Sequence, residues 1–303
     1  MWTGEPRDYW WCGLRVRSVV PLPWPAAGLV GGEPAITIAA GEVSGPSVPA
    51  GASTLVTVDA DGLVLGVEGL GRFRASAGRE IRIDAPATAR LEDIRLYLCG
   101  SVFGAIWLQR GTLPLHASAV VRDGSCIAFA GSSGAGKSTL VAHLAQSGWT
   151  LWSDDVCVID LMNGGVPGVW AGVARVKLAR DALAWLEQDA STLPHAGGTR
   201  DKYHLEVAGA GSDGTVPLRG FYLLTRGPAV RVERLTGLAA IDAVAGHTYC
   251  EDFVRPLGCE ARWLSQVVRV ARSVPVSRLV RPLGFGHMAE VLETLATDVA
   301  RGV

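Results

Sequence analysis

The sequence predicts an α/β core preceded by a β-rich N-terminal domain, and three observations carry that prediction. Short alternating apolar segments bounded by Gly and Pro run up to residue 84, and the apolar period then lengthens to three and four residues. From residue 115 an apolar hairpin leads through a glycine-rich loop into a helix and a further strand, the order expected of an α/β core. At 303 residues the chain has room for two domains, which we draw at 1–88 and 89–303. Hydrophobic residues make up 49% and charged residues 19%, which provides for a sizeable core and argues against disorder.

Segments 14–19, 35–38, 55–58, 63–65 and 81–84 read as strands because apolar and polar side chains alternate between turn residues. After Pro86, the residues Leu91, Ile94, Leu98, Val102, Ala105 and Leu108 recur at helical spacing, which predicts one long buried helix closed by Gly111 and Pro114. Runs 115–121 and 125–130 flank Asp123-Gly124, a pair that favours a two-residue type I′ turn. Such a turn sets 122 opposite 125, and the same register carried to the strand ends sets His116 opposite Gly131. A helix from 137 to 147 follows, stopped by Gly148, and the apolar run 149–152 then leads into Asp154-Asp155. The stretch 191–215 is rich in Gly and polar residues and reads as mobile loops.

The glycine loop is the most specific signal. Gly131-Ser132-Ser133-Gly134-Ala135-Gly136-Lys137-Ser138 matches G-x-x-x-x-G-K-[ST] at every fixed position. In that pattern the glycines let backbone N–H groups turn towards phosphate oxygens and the following helix adds its positive end. The lysine reaches the outer phosphates, and the hydroxyl of Ser138, with Thr139 behind it, meets Mg²⁺. ATP and Mg²⁺ are therefore the expected cofactors. An acidic residue at the end of the next strand suits the metal, and of the adjacent pair Asp154-Asp155 one can serve Mg²⁺ while the other accepts a proton. His116 alone would read as a core residue, but the hairpin register brings it to the mouth of the loop. Arginine outnumbers lysine so heavily that the lysines left, Lys137, Lys177 and Lys202, mark positions to inspect. Phosphoryl transfer needs further positive charge, for which Lys202 is the first candidate and Arg175 and Lys177 the second.

Other classes are excluded or left open on simple grounds. A formal net charge of −1 argues against a globally basic nucleic-acid binder. The longest nearly polar-free stretch, 96–108, is short of the ~18–20 residues that span a bilayer, so no membrane helix is expected. The start, Met1-Trp2-Thr3-Gly4-Glu5, has no basic or apolar leader character, and the six cysteines form no CxxC pair, which reads as a cytoplasmic protein with reduced thiols. Near the C-terminus Arg262, Ser265, Gln266, Arg269 and Arg272 share one helical face opposite Trp263, Leu264, Val267, Val268 and Ala271. That basic stripe reads either as a solvated face or as a dock for an acidic peptide or a second subunit in a homo-oligomer.

Leu115-His116-Ala117-Ser118-Ala119-Val120, the loop Gly131 to Ser138, and Ser153-Asp154-Asp155 together resemble the catalytic core of HPr kinase/phosphorylase. The fold of that family is similar to that of phosphoenolpyruvate carboxykinase. The resemblance implies a P-loop serine kinase in which Asp154 is the base, Asp155 holds Mg²⁺ with Ser138, and His116 relays a proton or contacts phosphate. The later E-x-R-G-x-G-I and P-R-I-x-I-P-V-x-x-G-R-N-like motifs of that family do not occur in this sequence. The chain is thus more similar to the divergent HPr-kinase-related proteins, some of which phosphorylate the C-terminal serine of a lasso-peptide precursor. The implied activity is transfer of the γ-phosphoryl group of ATP to a serine hydroxyl of a peptide or small protein. The alternatives are a small-molecule kinase and a non-catalytic ATP-gated binding protein.

Overall fold

The computed structural model describes residues 5–27, 32–161, 165–196, 201–207 and 214–302 and is of mixed α/β type. The chain forms two compact units: 1–112 with 250–263, and 113–249 with 264–303. The segment 91–110 packs with the first unit, so the partition falls after Thr112, later than the boundary drawn at 88 from the change of period.

The first unit holds strands β1 (Arg7–Trp11), β2 (Leu14–Ser18), β3 (Ile36–Ala40), β4 (Thr54–Asp59), β5 (Gly62–Val67), β6 (Gly71–Ser76) and β7 (Glu80–Asp84). They form one sheet in the order β1-β2-β3-β7-β6-β5-β4, in which β4 to β7 are an antiparallel meander. The expected strands are present, and β1 and β6 join them. Alternate residues such as Ile36, Ile38, Phe73, Ala75, Ile81 and Ile83 point into the core. The predicted single helix is two helices, α1 (Leu91–Tyr97) and α2 (Phe103–Arg110), separated by a wider turn over Leu98–Val102. At Gly100 the backbone leaves helical values, with φ −97° and ψ −108°, which apolar periodicity does not reveal. Trp11, Trp24, Phe103 and Trp107 cluster ring on ring, Trp11 and Trp24 stacking at 4.4 Å. Gln109 ties α2 to the sheet: its side chain donates to the Ala75 carbonyl and accepts from the Gly78 N–H, both at 2.8 Å.

The second unit is built on a nine-stranded sheet. It contains β8 (Leu113–Leu115), β9 (Ala117–Arg122), β10 (Ser125–Ala130), α3 (Lys137–Gln146), β11 (Thr150–Ser153), β12 (Cys157–Asp160) and β13 (Gly168–Trp170). A separate hairpin pairs β14 (Arg175–Ala179) with β15 (Lys202–Glu206), with α4 (Arg180–Trp185) between them in sequence. Strands β16 (Thr215–Arg226) and β17 (Arg231–Leu235), helix α5 (Gly237–Ala245), the portion from residue 264 of α6 (Glu260–Ser273), β18 (Val276–Arg281) and α7 (Met288–Gly302) complete it. The sheet runs β11-β9-β10-β16-β13-β12-β8, and β16 is also paired in parallel with β18.

The β9–β10 register is the one the Asp123-Gly124 turn dictates, from Arg122 opposite Ser125 to Ala117 opposite Ala130. One face of the sheet is covered by α3, α4, α7 and the β14–β15 hairpin around Ile127, Phe129, Leu140, Leu183, Leu224 and Leu295. The Tyr222 hydroxyl donates to Asp298 at 2.7 Å and fastens α7 to β16.

Two expectations are corrected. Part of the stretch 191–215 is the ordered strand β15, because its side chains alternate against β14; residues 197–200 and 208–213 lie outside the described residues. The basic stripe of α6 is not simply solvated: Arg269 donates to the carbonyls of Leu161 and Gly165, and Arg262, in the first unit, donates to that of Leu108 at the end of α2. Among the described residues no helix is long and apolar enough to cross a membrane.

The Gln109 bridge satisfies one donor and one acceptor that would otherwise be orphaned, so Gln109→Ala is expected to lower the stability of the first unit by ~1–3 kcal/mol. Urea unfolding followed by tryptophan fluorescence measures it, and a loss within error of zero contradicts this role.

Candidate active site

Strand β10 ends at Ala130 and the chain turns through the glycine loop into α3. Two glycines are required by geometry. Gly131 has φ 147°, and a Cβ there would lie 3.1 Å from the Leu224 carbonyl; Gly136 has φ 87°, and a Cβ there would collide with the Arg281 guanidinium. Lys137, only 8% exposed, folds back over the loop, donating to the Gly131 carbonyl at 2.8 Å and approaching His116 Nε2 at 3.1 Å. Burial pulls its pKa down against the two nearby aspartates, which act in the opposite direction.

His116 stands between β8 and β9, with its backbone N–H donating to the His247 carbonyl at 2.7 Å. Its Nδ1 faces the Asp155 carbonyl oxygen at 3.1 Å and its Nε2 faces Lys137. A carbonyl only accepts and an ammonium only donates, so these partners assign the proton to Nδ1 and the lone pair to Nε2. Burial, then the Lys137 charge, depress the His116 pKa, with Asp155 opposing. The ring is neutral at pH 7.

The two aspartates have different surroundings. Asp154 Oδ1 accepts from Ser118 Oγ at 2.6 Å and Ser138 Oγ at 2.9 Å, and Oδ2 accepts from the Lys177 backbone N–H at 3.1 Å. Burial raises its pKa, helped by the charge of Asp155, while these bonds pull the other way. Asp155 lies in the left-handed region, φ 75°, a conformation that costs a non-glycine residue about 1–3 kcal/mol and that the flanking strands enforce. Its carboxylate is 39% exposed, faces the cavity, pairs with Lys177 Nζ at 3.0 Å and stands 3.5 Å from His116 Nδ1. Burial alone would raise its pKa, but Lys177, His116 and Lys137 outweigh burial and hold it below the usual carboxylate value. The Ser138 hydroxyl thus rests on Asp154, whereas Asp155, grouped with Ser138 in the sequence-based expectation, faces the open volume.

A cavity of about 550 Å³ opens over the loop, within the usual range for small-molecule sites. Its floor is Ser133 to Thr139, and His116 and Asp155 form one wall. Lys177 and Lys202 reach it from the β14–β15 hairpin, so all three lysines of the chain line one cavity. Of the candidate cations, Arg175 is the one outside the lining; it sits opposite Glu206 at the far end of β14. Five contributors were not among the candidate site residues read from the sequence. Ser118 supports Asp154 from the neighbouring strand, Arg281 at the end of β18 lines the cavity, and Leu283, Phe285 and Met288 form its apolar side. Hairpin register could have located Ser118, which pairs with Phe129; Arg281 was hidden by the abundance of arginine.

These features define a mixed α/β protein with a glycine loop, a carboxylate pair and three lysines around one cavity. Residues 88–167, which include His116, the loop and both aspartates, match the family model described as SynChlorMet cassette protein ScmC. Among solved structures the chain is similar to the Hpr(Ser) kinase/phosphatase from Coxiella burnetii, at 13% identity and a TM-score of 0.34, over 62% of this chain and 96% of that one. No curated protein matches the sequence.

With its folded pKa depressed, His116 takes up its proton later than the unfolded chain as the pH falls. Its neutral form therefore contributes stability above pH ~6.5 that is lost as the pH drops through the lower folded value. In an NMR titration His116 is expected to titrate below 6.5, and Lys137→Met to raise that midpoint by removing the neighbouring charge. An unchanged midpoint contradicts the Lys137–His116 contact.

Proposed function

We propose that this chain is an ATP- and Mg²⁺-dependent kinase that transfers a phosphoryl group to a serine hydroxyl of a peptide or small protein, and that its second unit is an HPr-kinase-like core. The observation that carries the reading is Asp155, an ionised carboxylate held by Lys177 beside neutral His116 and opening onto the cavity above the glycine loop.

The residues present fit both cofactors. Two turned glycines, the start of α3 and Lys137 make a cradle for phosphate oxygens. Ser138 and Asp154 supply hard oxygen donors side by side, which suits Mg²⁺. When bound, ATP supplies the transferable phosphoryl group and Mg²⁺ offsets the negative charge of the phosphates.

The chain does the rest. Asp154, gripped by Ser118 and the Lys177 amide, aims the Ser138 hydroxyl and serves the metal. Asp155 orients the incoming serine hydroxyl and takes its proton. This reading exchanges the two roles that the family resemblance implies. Lys177 holds Asp155 in place, and Lys202 adds positive charge to the same cavity. In a loose phosphoryl-transfer transition state most of the catalysis is alignment, so a carboxylate of ordinary or low basicity suffices. Within the peptide class, the C-terminal serine of a lasso-peptide precursor is the acceptor to which the resemblance points.

Purified protein incubated with ATP, Mg²⁺ and serine peptides, with products read by mass spectrometry, is expected to give phosphopeptide. ATP binding without turnover on any peptide or metabolite overturns the kinase assignment. Asp155→Asn is expected to reduce transfer at least ~100-fold with ATP affinity kept within about threefold. Asp154→Asn is expected to shift the Mg²⁺ dependence to higher concentration. The opposite pattern restores the order of roles implied by the resemblance. Lys137→Ala binding ATP as tightly as the parent, by calorimetry, removes the glycine loop from the account.

A further inference from the structure

The cavity has two chemically different sides, and the sheet order separates them. Strand β10, which delivers the glycine loop, has β9 and β11 on one side and β16 followed by β18 on the other. His116 and Asp155 belong to the β9–β11 side. The segment that follows β18 contributes Arg281, Leu283, Phe285 and Met288 to the opposite side, where Ala182 of α4 joins them.

Leu283 is 59% exposed, a large apolar side chain at the rim of the site. Phe285 is held flat against Trp185, with ring centroids 4.8 Å apart and planes 9° from parallel. At the boundary between the two sides lies Arg281, 8% exposed, donating to the Ala135 carbonyl at 2.7 Å; among the described residues no carboxylate pairs with it. A guanidinium has five N–H donors and favours phosphate oxygens, and an uncompensated buried cation facing a cavity is complementary to an anion.

We propose that the 281–288 segment is the nucleoside side of the site: Leu283 and Phe285 cover the base, Arg281 binds a phosphate oxygen nearest the nucleoside, and the phosphate chain runs from there across the loop towards Asp155. This rests on the nucleotide reading above and adds to it a direction for the bound nucleotide. Apolar walls take up a base by surface burial and stacking, so they contribute to nucleotide affinity and nothing to the affinity for inorganic phosphates.

The test compares ATP with inorganic tripolyphosphate, both with Mg²⁺, by calorimetry on the full chain. The parent is expected to bind ATP at least about tenfold more tightly than tripolyphosphate, the difference a modest buried apolar contact supplies. Leu283→Ser and Phe285→Leu are expected to erase most of that ratio with tripolyphosphate affinity within twofold of the parent. Leu283 is exposed, so its variant tests the idea even where Phe285→Leu loosens the packing on Trp185. Arg281→Gln is expected to weaken both ligands at least about fivefold, one charge-assisted hydrogen bond being lost in each case. A ratio near one in the parent, or a ratio unaffected by both apolar variants, overturns the placement of the base while leaving the phosphate loop intact. Arg281→Gln with normal affinity for both ligands removes Arg281 from it. If the parent binds neither ligand, the nucleotide reading itself fails.

Discussion

The carboxylate of Asp154 is the joint on which the site depends. It accepts from Ser118 on β9, Ser138 at the start of α3 and the backbone of Lys177 on β14, and so joins three separate elements. A partly buried carboxylate is costly to leave unsatisfied, and here both oxygens are engaged, so the three elements are drawn to fixed positions around it. Two consequences reach the cavity. Ser138 is fixed immediately after Lys137, and the Lys177 backbone is fixed so that its side chain meets Asp155. Asp155 has little choice of position, because the residue before it is anchored and its own backbone is turned into the left-handed region.

Charge complementarity follows from that arrangement. Lys137, Lys177, Lys202 and Arg281 line the cavity against Asp155 and Asp181 among the described residues, an excess of positive charge. The whole chain carries a net charge of −1, so this excess is local to the cavity.

Much of this was legible in the sequence, and the reasons differ by residue. The Asp123-Gly124 turn fixed the β9–β10 pairing outright, since a two-residue hairpin leaves no freedom in register. The scarcity of lysine by itself points to Lys137, Lys177 and Lys202, and all three meet in one cavity. Helix periodicity could not reveal the break at Gly100, because the apolar positions continue in phase on both sides of it. Polarity and glycine content likewise concealed β15, whose strand character depends on β14 and not on its own composition. The different surroundings of Asp154 and Asp155 are a property of neighbours from distant parts of the chain, Ser118 and Lys177, and adjacent identical residues carry no local signal of them.

Strand β16 has a bearing on how the protein comes to be folded. In the first unit, β4 to β7 each pair with the next strand along the chain, so those contacts close short loops. In the second, the floor of the cavity depends on β10 lying beside β16, where Cys126 is opposite Leu218, and on β16 lying beside β18. Pairings this distant in sequence must overcome a large loop-closure entropy before any contact rewards them, and they are formed slowly. During synthesis the meander can assemble while the ribosome is still extending the chain. The glycine loop acquires its supporting strand only after residue 226 has been made, so one edge of β10 stays unpaired for that interval and open to pairing with another chain.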